Sequence, residues 1–168
     1  KELYSDENKD VEKTYVKDLQ LDADFELLFP DEYINNITER LKLYNELSLI
    51  KDEITLQAYE NKLVDRFGPM PKQAISLLNS IKIKWVATQL GIEKLVMKQG
   101  KMIGYFIADQ NSDFYASAQF HRVLQLVQQQ AQHCKLKEKQ TPNGLRLLLT
   151  FEHVKSIRAA LQYMDLLA

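Results

Sequence analysis

The sequence predicts an α+β fold. An N-terminal strand and three helices come first, then two strand–strand–helix blocks whose strands form a small antiparallel sheet with helices packed on it. Three observations carry the prediction. Apolar residues recur at three- and four-residue steps through the first half of the 168-residue chain. In the second half, Gln99-Gly100-Lys101 and Thr141-Pro142-Asn143-Gly144 each divide a pair of β-prone runs. A helical period follows each pair.

Residues 1–20 are crowded with alternating charges and thin in apolar side chains, which predicts a connector, and residues 21–168 a single domain. Asp22-Ala23-Asp24-Phe25-Glu26-Leu27 alternates polar and apolar as a half-buried strand does, and Pro30 ends it. Asp31 is the expected N-cap of a first helix over 32–51, with Ile34, Ile37, Leu41, Tyr44 and Leu47 as its apolar stripe. A second helix carries Leu56, Tyr59, Leu63 and Phe67, with Thr55 as the expected cap. Gly68-Pro69-Met70-Pro71 stops it, because glycine suits the C′ position and proline cannot continue the backbone bonding. A third helix runs from Pro71 through Ala74, Leu78, Ile81 and Trp85 to Leu90 and should be the most buried.

Beyond it, Ile92–Lys98 and Met102–Ala108 flank the first turn, and a helix aligns Phe120, Val123, Leu124, Val127 and Ala131. Cys134–Lys139 and Leu145–Phe151 flank the second turn, and a last helix carries Val154, Ile157, Leu161 and Met164.

Composition excludes several classes. With 45% apolar residues, 5 glycines and 1 cysteine, the chain is neither collagen-like, disulfide-rich nor disordered. No apolar run approaches the roughly 20 residues of a membrane-spanning helix. Lys1-Glu2-Leu3-Tyr4 has neither an initiator methionine nor the layout of a secretory signal, so we expect the chain to be part of something longer. The net charge of −1 hides an asymmetry: residues 1–70 balance to −8 and residues 71–168 to +7. Such a split suits a basic partner on one face and a mildly acidic one on another, or else marks solvated helix faces.

Catalytic motifs are missing from the sequence. None of the glycines 68, 91, 100, 104 and 144 opens a phosphate-cradling loop. His121, His133, Cys134 and His153 lack the spacings that put two ligands on one metal, so we expect no metal and no cofactor. Cys134 reads as a buried structural thiol, since its neighbour His133 points to the opposite face of a strand. Lys135, Lys137 and Lys139 alternate along a strand, and Lys82, Lys84, Lys94, Lys98 and Lys101 add to the basic half. These permit an accessory nucleic-acid contact, although edge lysines also serve to block strand pairing, and from sequence alone the second reading is preferred. The residues thus describe a non-catalytic interaction module.

Four blocks narrow this. Phe29-Pro30, Arg40-Leu41-Lys42-Leu43-Tyr44, Asp65-Arg66-Phe67-Gly68-Pro69-Met70-Pro71 and Leu90-Gly91-Ile92-Glu93-Lys94 follow one another in order and spacing. Over about residues 22–95 the chain resembles the C-terminal domain of bacterial transcription-repair coupling factor, the TRCF family. The resemblance implies a cytoplasmic, ATP-driven DNA translocase that releases stalled RNA polymerase from duplex DNA and recruits the repair protein UvrA. ATP and magnesium would belong to its motor, and residues 1–20 to the motor's tail or linker. This domain would have no ATPase of its own. It would pack on the N-terminal UvrA-binding module of the same chain and hide it until polymerase is engaged.

The resemblance also implies partner-binding residues. Family members use acids on the second helix against basic residues of the UvrA-binding module, and Asp65 matches that pattern. Lys62 stands where an acid is common, with Glu60 nearby, and Arg66 completes the candidate set. Asp65 lies near a helix C-terminus, where the macrodipole disfavours a negative charge. A cation should therefore face it, either in the partner module or, within the domain, at Arg40 or Arg66.

Overall fold

The computed structural model describes residues 14–168, and the predicted α+β class is what it shows. In chain order the elements are β1 (Gln20–Ala23), α1 (Ile37–Ser48), α2 (Glu53–Phe67), α3 (Lys72–Gln89), β2 (Ile92–Lys98) and β3 (Lys101–Phe106). A short 3-10 turn at Asp113–Ala116 then leads to α4 (Ala118–Gln129), β4 (Cys134–Thr141), β5 (Gly144–Phe151) and α5 (Ile157–Asp165). The chain divides into two compact units. One is Phe25–Trp85; the other takes the chain up to Asp24 and resumes at Val86.

The sheet of the second unit has the order β1-β2-β3-β5-β4. Its four C-terminal-side strands pair antiparallel, as expected. The sheet is nonetheless mixed, because β1 pairs parallel with β2, Gln20 opposite Lys94 and Ala23 opposite Met97. The first strand also lies earlier than the Asp22–Leu27 alternation suggested. Burial does alternate as far as Leu28, but the pairing stops when the Asp24 carboxylate accepts from the Gln99 amide at 3.0 Å. Of the charged stretch expected to be a connector, residues 1–13 lie outside the described residues. Val16 and Leu19 are buried, and the Tyr15 ring meets Phe114 edge-on at 5.4 Å.

Register sorts the sheet into two faces. Residues directly opposite each other across a ladder project to the same side. Leu95, Met97, Met102, Phe106, Leu149 and Phe151 share one face and are all essentially buried. Helices α4 and α5 cover that face: Phe120 meets Phe106 edge-on at 6.2 Å, and Tyr163 meets Phe151 at 5.8 Å. Both hairpin turns fall where the sequence placed them. Gln99 and Gly100 each take positive φ, 54° and 77°, the two-residue turn that suits a right-twisted hairpin. Cys134 is buried, and burial pushes its thiol pKa up, away from thiolate chemistry.

The Phe25–Trp85 unit is helical, and its core is Phe29, Ile34, Leu43, Leu47, Leu56, Tyr59, Leu63, Ala74 and Leu78. Three details of the sequence reading change here. α1 begins at Ile37 rather than 32, capped by Asn36, whose side chain accepts from the Glu39 amide at 3.0 Å. Asp31 instead pairs with Arg40 at 2.8 Å. The start at Ile37 rotates the expected stripe: Leu43 and Leu47 are buried, while Ile37 and Leu41 are 64% and 61% exposed. For α2 the cap is Asp52, accepting from the Thr55 amide at 2.8 Å, not Thr55 itself. Trp85 is only partly buried at the edge of this core and Ile75 of α3 is exposed, but α3 is the most enclosed helix among the described residues, as expected, with Ala74, Leu78, Ile83 and Ala87 buried.

Candidate interaction surface

Two motifs singled out in the sequence turn out to do mostly structural work. In Arg40-Leu41-Lys42-Leu43-Tyr44, the Arg40 guanidinium donates to the Ile34 carbonyl at 2.7 Å besides pairing with Asp31. The Tyr44 hydroxyl accepts from the Phe29 amide at 2.8 Å, and its ring stacks on Phe29 at 5.0 Å. These bonds fix the chain entering α1.

In Asp65-Arg66-Phe67-Gly68, three of four residues are likewise occupied. Arg66 crosses to α1 and meets Glu39 at 2.8 Å while lying 5.2 Å over the Phe67 ring. Phe67 packs against Tyr33 at 5.8 Å. Gly68 ends α2 with φ 89°, a conformation that disfavours a side chain, and its carbonyl accepts from the Tyr33 hydroxyl at 2.9 Å. Burial pushes the Tyr33 hydroxyl pKa up, keeping it a donor.

Asp65 is the exception. It is exposed, and among the described residues its carboxylate has neither an ion pair nor a hydrogen bond. The two cations that might have neutralised it within the domain, Arg40 and Arg66, are taken by Asp31 and Glu39. Asp65 lines a shallow depression between the end of α2 and the start of α3, together with Glu60, Asn61, Val64, Met70 and Ile75. Val64 and Ile75 are 41% and 46% exposed there, and Ile54, on the exposed side of α2 nearer its start, is 84% exposed. The depression thus sets an unneutralised carboxylate beside exposed aliphatic side chains.

The structure places the three sequence-predicted residues unequally. Asp65 and Glu60 share the depression, and Glu60 accepts from Gln57 at 2.9 Å. Arg66 points to the other side of α2, into a lattice with Glu39 in which Lys62 also meets Glu46 at 2.5 Å. Lys62, noted as a departure from the family's acid, is thereby neutralised. Sequence reasoning missed Val64 and Ile75, since nothing in the pattern of either helix marks an aliphatic residue as left outside. Among the described residues, no group of three His, Cys, Asp or Glu side chains is placed to hold a metal. No helix there is long and apolar enough to cross a membrane.

Fold and topology together define an α+β domain with a mixed five-stranded sheet. The chain belongs to the TRCF domain family, whose model matches residues 23–117. Its relatives include the transcription-repair-coupling factors of Rickettsia bellii (strain RML369-C), 27% identical over 93 residues, and Escherichia coli (strain K12), 37% identical over 68 residues. These alignments cover 55% and 40% of this chain but only 8% and 6% of those proteins, so the chain spans a small part of their length. Its fold is similar to the crystal structure of the C-terminal domain of transcription-repair coupling factor, with a TM-score of 0.67 at 17% identity. That match covers 89% of this chain and 91% of the other.

Proposed function

We propose that this domain is a non-catalytic, autoinhibitory module of a DNA-translocating coupling factor. It docks on the N-terminal UvrA-binding module of the same factor and masks it until RNA polymerase is engaged. ATP and magnesium serve the motor elsewhere in the factor, and UvrA, polymerase and duplex DNA are reached through the whole protein. The observation that carries the reading is the state of Asp65: an exposed carboxylate near a helix C-terminus, with Arg40 and Arg66 both committed elsewhere. The helix dipole makes that placement unfavourable in the free domain. A basic partner relieves it, and exposed Val64 and Ile75 supply the apolar contact beside it.

A mask has to open, so a modest interface suits it. Exposed ion pairs contribute about 0–1 kcal/mol each, and about 1.4 kcal/mol shifts a closed-to-open ratio tenfold. Removing this domain from the full-length factor tests the reading: UvrA capture should rise, and unchanged capture would remove the mask from the account. Purified domain should hydrolyse no ATP; turnover that tracks the protein through purification would end the non-catalytic reading.

A further inference from the structure

The face of the sheet opposite α4 and α5 carries an array of cations that the masking role does not use. Register puts Lys135, Lys137 and Lys139 of β4 on the same side as Thr150, Leu148 and Arg146 of β5. The ladders continue that side through Ile103 and Tyr105 of β3 to Lys94, Val96 and Lys98 of β2, with Lys101 opposite Lys98. Seven cations therefore share one sheet face. Blocking of edge pairing explains the lysines of β4, an edge strand. It does not explain Lys94, Lys98 and Lys101, which lie on interior strands.

Three of the seven are paired: Lys98 with Asp22 at 3.0 Å, Arg146 with Glu93 at 2.7 Å and Lys101 with Glu152 at 3.9 Å. Lys94 lies 5.5 Å over the Tyr105 ring. Lys135, Lys137 and Lys139 are exposed and meet no carboxylate among the described residues; Glu138, between them, projects to the opposite face. The local excess is positive although the whole chain is at −1.

We propose that this sheet face binds the phosphate backbone of a nucleic-acid duplex without reading its sequence. Alternate residues of a strand lie about 7 Å apart, the scale of successive phosphates along a nucleic-acid strand, so the β4 lysines meet consecutive phosphates. The interior lysines extend the positive field across the sheet. A strand-stacking mode is disfavoured because the Tyr105 ring already holds Lys94 and the Arg146 guanidinium, the latter at 5.2 Å. With no free aromatic platform, bases contribute little and charge carries the affinity. This face belongs to the sheet unit and the masking surface to the helical unit, so the two proposals stand or fall separately.

The test is fluorescence anisotropy of the 168-residue chain with a labelled DNA duplex, its single strand and polyglutamate, each across a salt series. The expected result is duplex binding that falls steeply with salt, at least as tight as to the single strand, and negligible polyglutamate binding. Replacing Lys135, Lys137 and Lys139 together by Gln should weaken duplex binding tenfold or more. It should also reduce the slope of log K against log salt by about 2 to 3, since each phosphate contact contributes about 0.9. Lys82→Gln with Lys84→Gln on α3 should change neither. If the triple variant does not fold by circular dichroism, Lys137→Gln alone carries the test, with an expected loss of two- to fivefold. No binding near 50 mM salt, or binding unmoved by these variants, overturns the proposal. Equal binding of polyglutamate overturns it in favour of an acidic protein partner, and tighter single-strand binding overturns the duplex.

Discussion

Arg66 and Glu39 meet at 2.8 Å across α1 and α2, and the adjacent Asp65 is left without a cation among the described residues. One arginine thus settles which of two neighbouring charges in the Asp65-Arg66 pair is structural and which faces outward. Arg66→Ala should cost less than about 1 kcal/mol, because its side chain is 56% exposed and solvent screens the pair. In the full-length factor it should change UvrA capture far less than a substitution at Asp65. Urea unfolding and a UvrA pulldown read the two effects.

The helical unit should depend most on side chains with no exposure. Leu63 is fully buried beneath Tyr59 and Leu56 on the inner side of α2. Leu63→Ala should cost about 2–5 kcal/mol in urea unfolding, the usual range when a core leucine leaves a cavity. Trp85→Ala should cost less than Leu63→Ala, because Trp85 only borders the same core.

Gly91 should tolerate no side chain. Its φ is +85°, and an added Cβ would run into the Phe114 ring, itself fully buried. Gly91→Ala should destabilise the fold by more than about 1 kcal/mol, combining left-handed backbone strain with overpacking. A thermal melt of the variant reads it directly.

Alkaline pH should loosen both units. Burial raises the Tyr59 hydroxyl well above its ordinary value near 10 while it donates to the Leu43 carbonyl at 2.7 Å. Burial, with Glu93 nearby, pushes Tyr115 up to about 12. Both groups stay protonated in the fold at pH values where the unfolded chain ionises. Their contribution is therefore complete below pH 10 and is lost as pH rises toward and through the folded values. Urea midpoints should be flat with respect to these groups up to pH 10 and fall above it, and Tyr59→Phe should shallow that fall.

What was legible in the sequence was what local chemistry dictates. Gly68 with its prolines, Gly91 and the two hairpin turns each force a backbone conformation, and each fell where it was read. The phase of α1 was only partly legible: Tyr44 and Leu47 of the expected stripe do face the core, but in the sequence Ile37 and Leu41 complete that stripe as well as Leu43 does. Only packing against Tyr59 and Leu63 chooses between them. Asp31 and Asn36 both make good caps, and the pairing of Asp31 with Arg40 decided that choice. In the depression beside α2, Asp65 was singled out by the family resemblance together with its place near a helix end. Val64 and Ile75 could not be found, since exposure of an aliphatic side chain is a property of the assembled unit. The cationic sheet face was hidden for the same reason: Lys94 and Lys137 are brought to one side only by ladder register, which no single strand encodes.

The charge at Asp65 is the centre of the masking account, and reversing it is the most direct measurement. In full-length coupling factor carrying Asp65→Lys, UvrA pulldown should recover more UvrA than wild type, with raised salt producing the same gain in the wild-type protein. Circular dichroism of the variant domain should match wild type, because the Asp65 side chain makes no bond within the described residues. Unchanged UvrA recovery with an intact domain would contradict the account, as would a domain that melts.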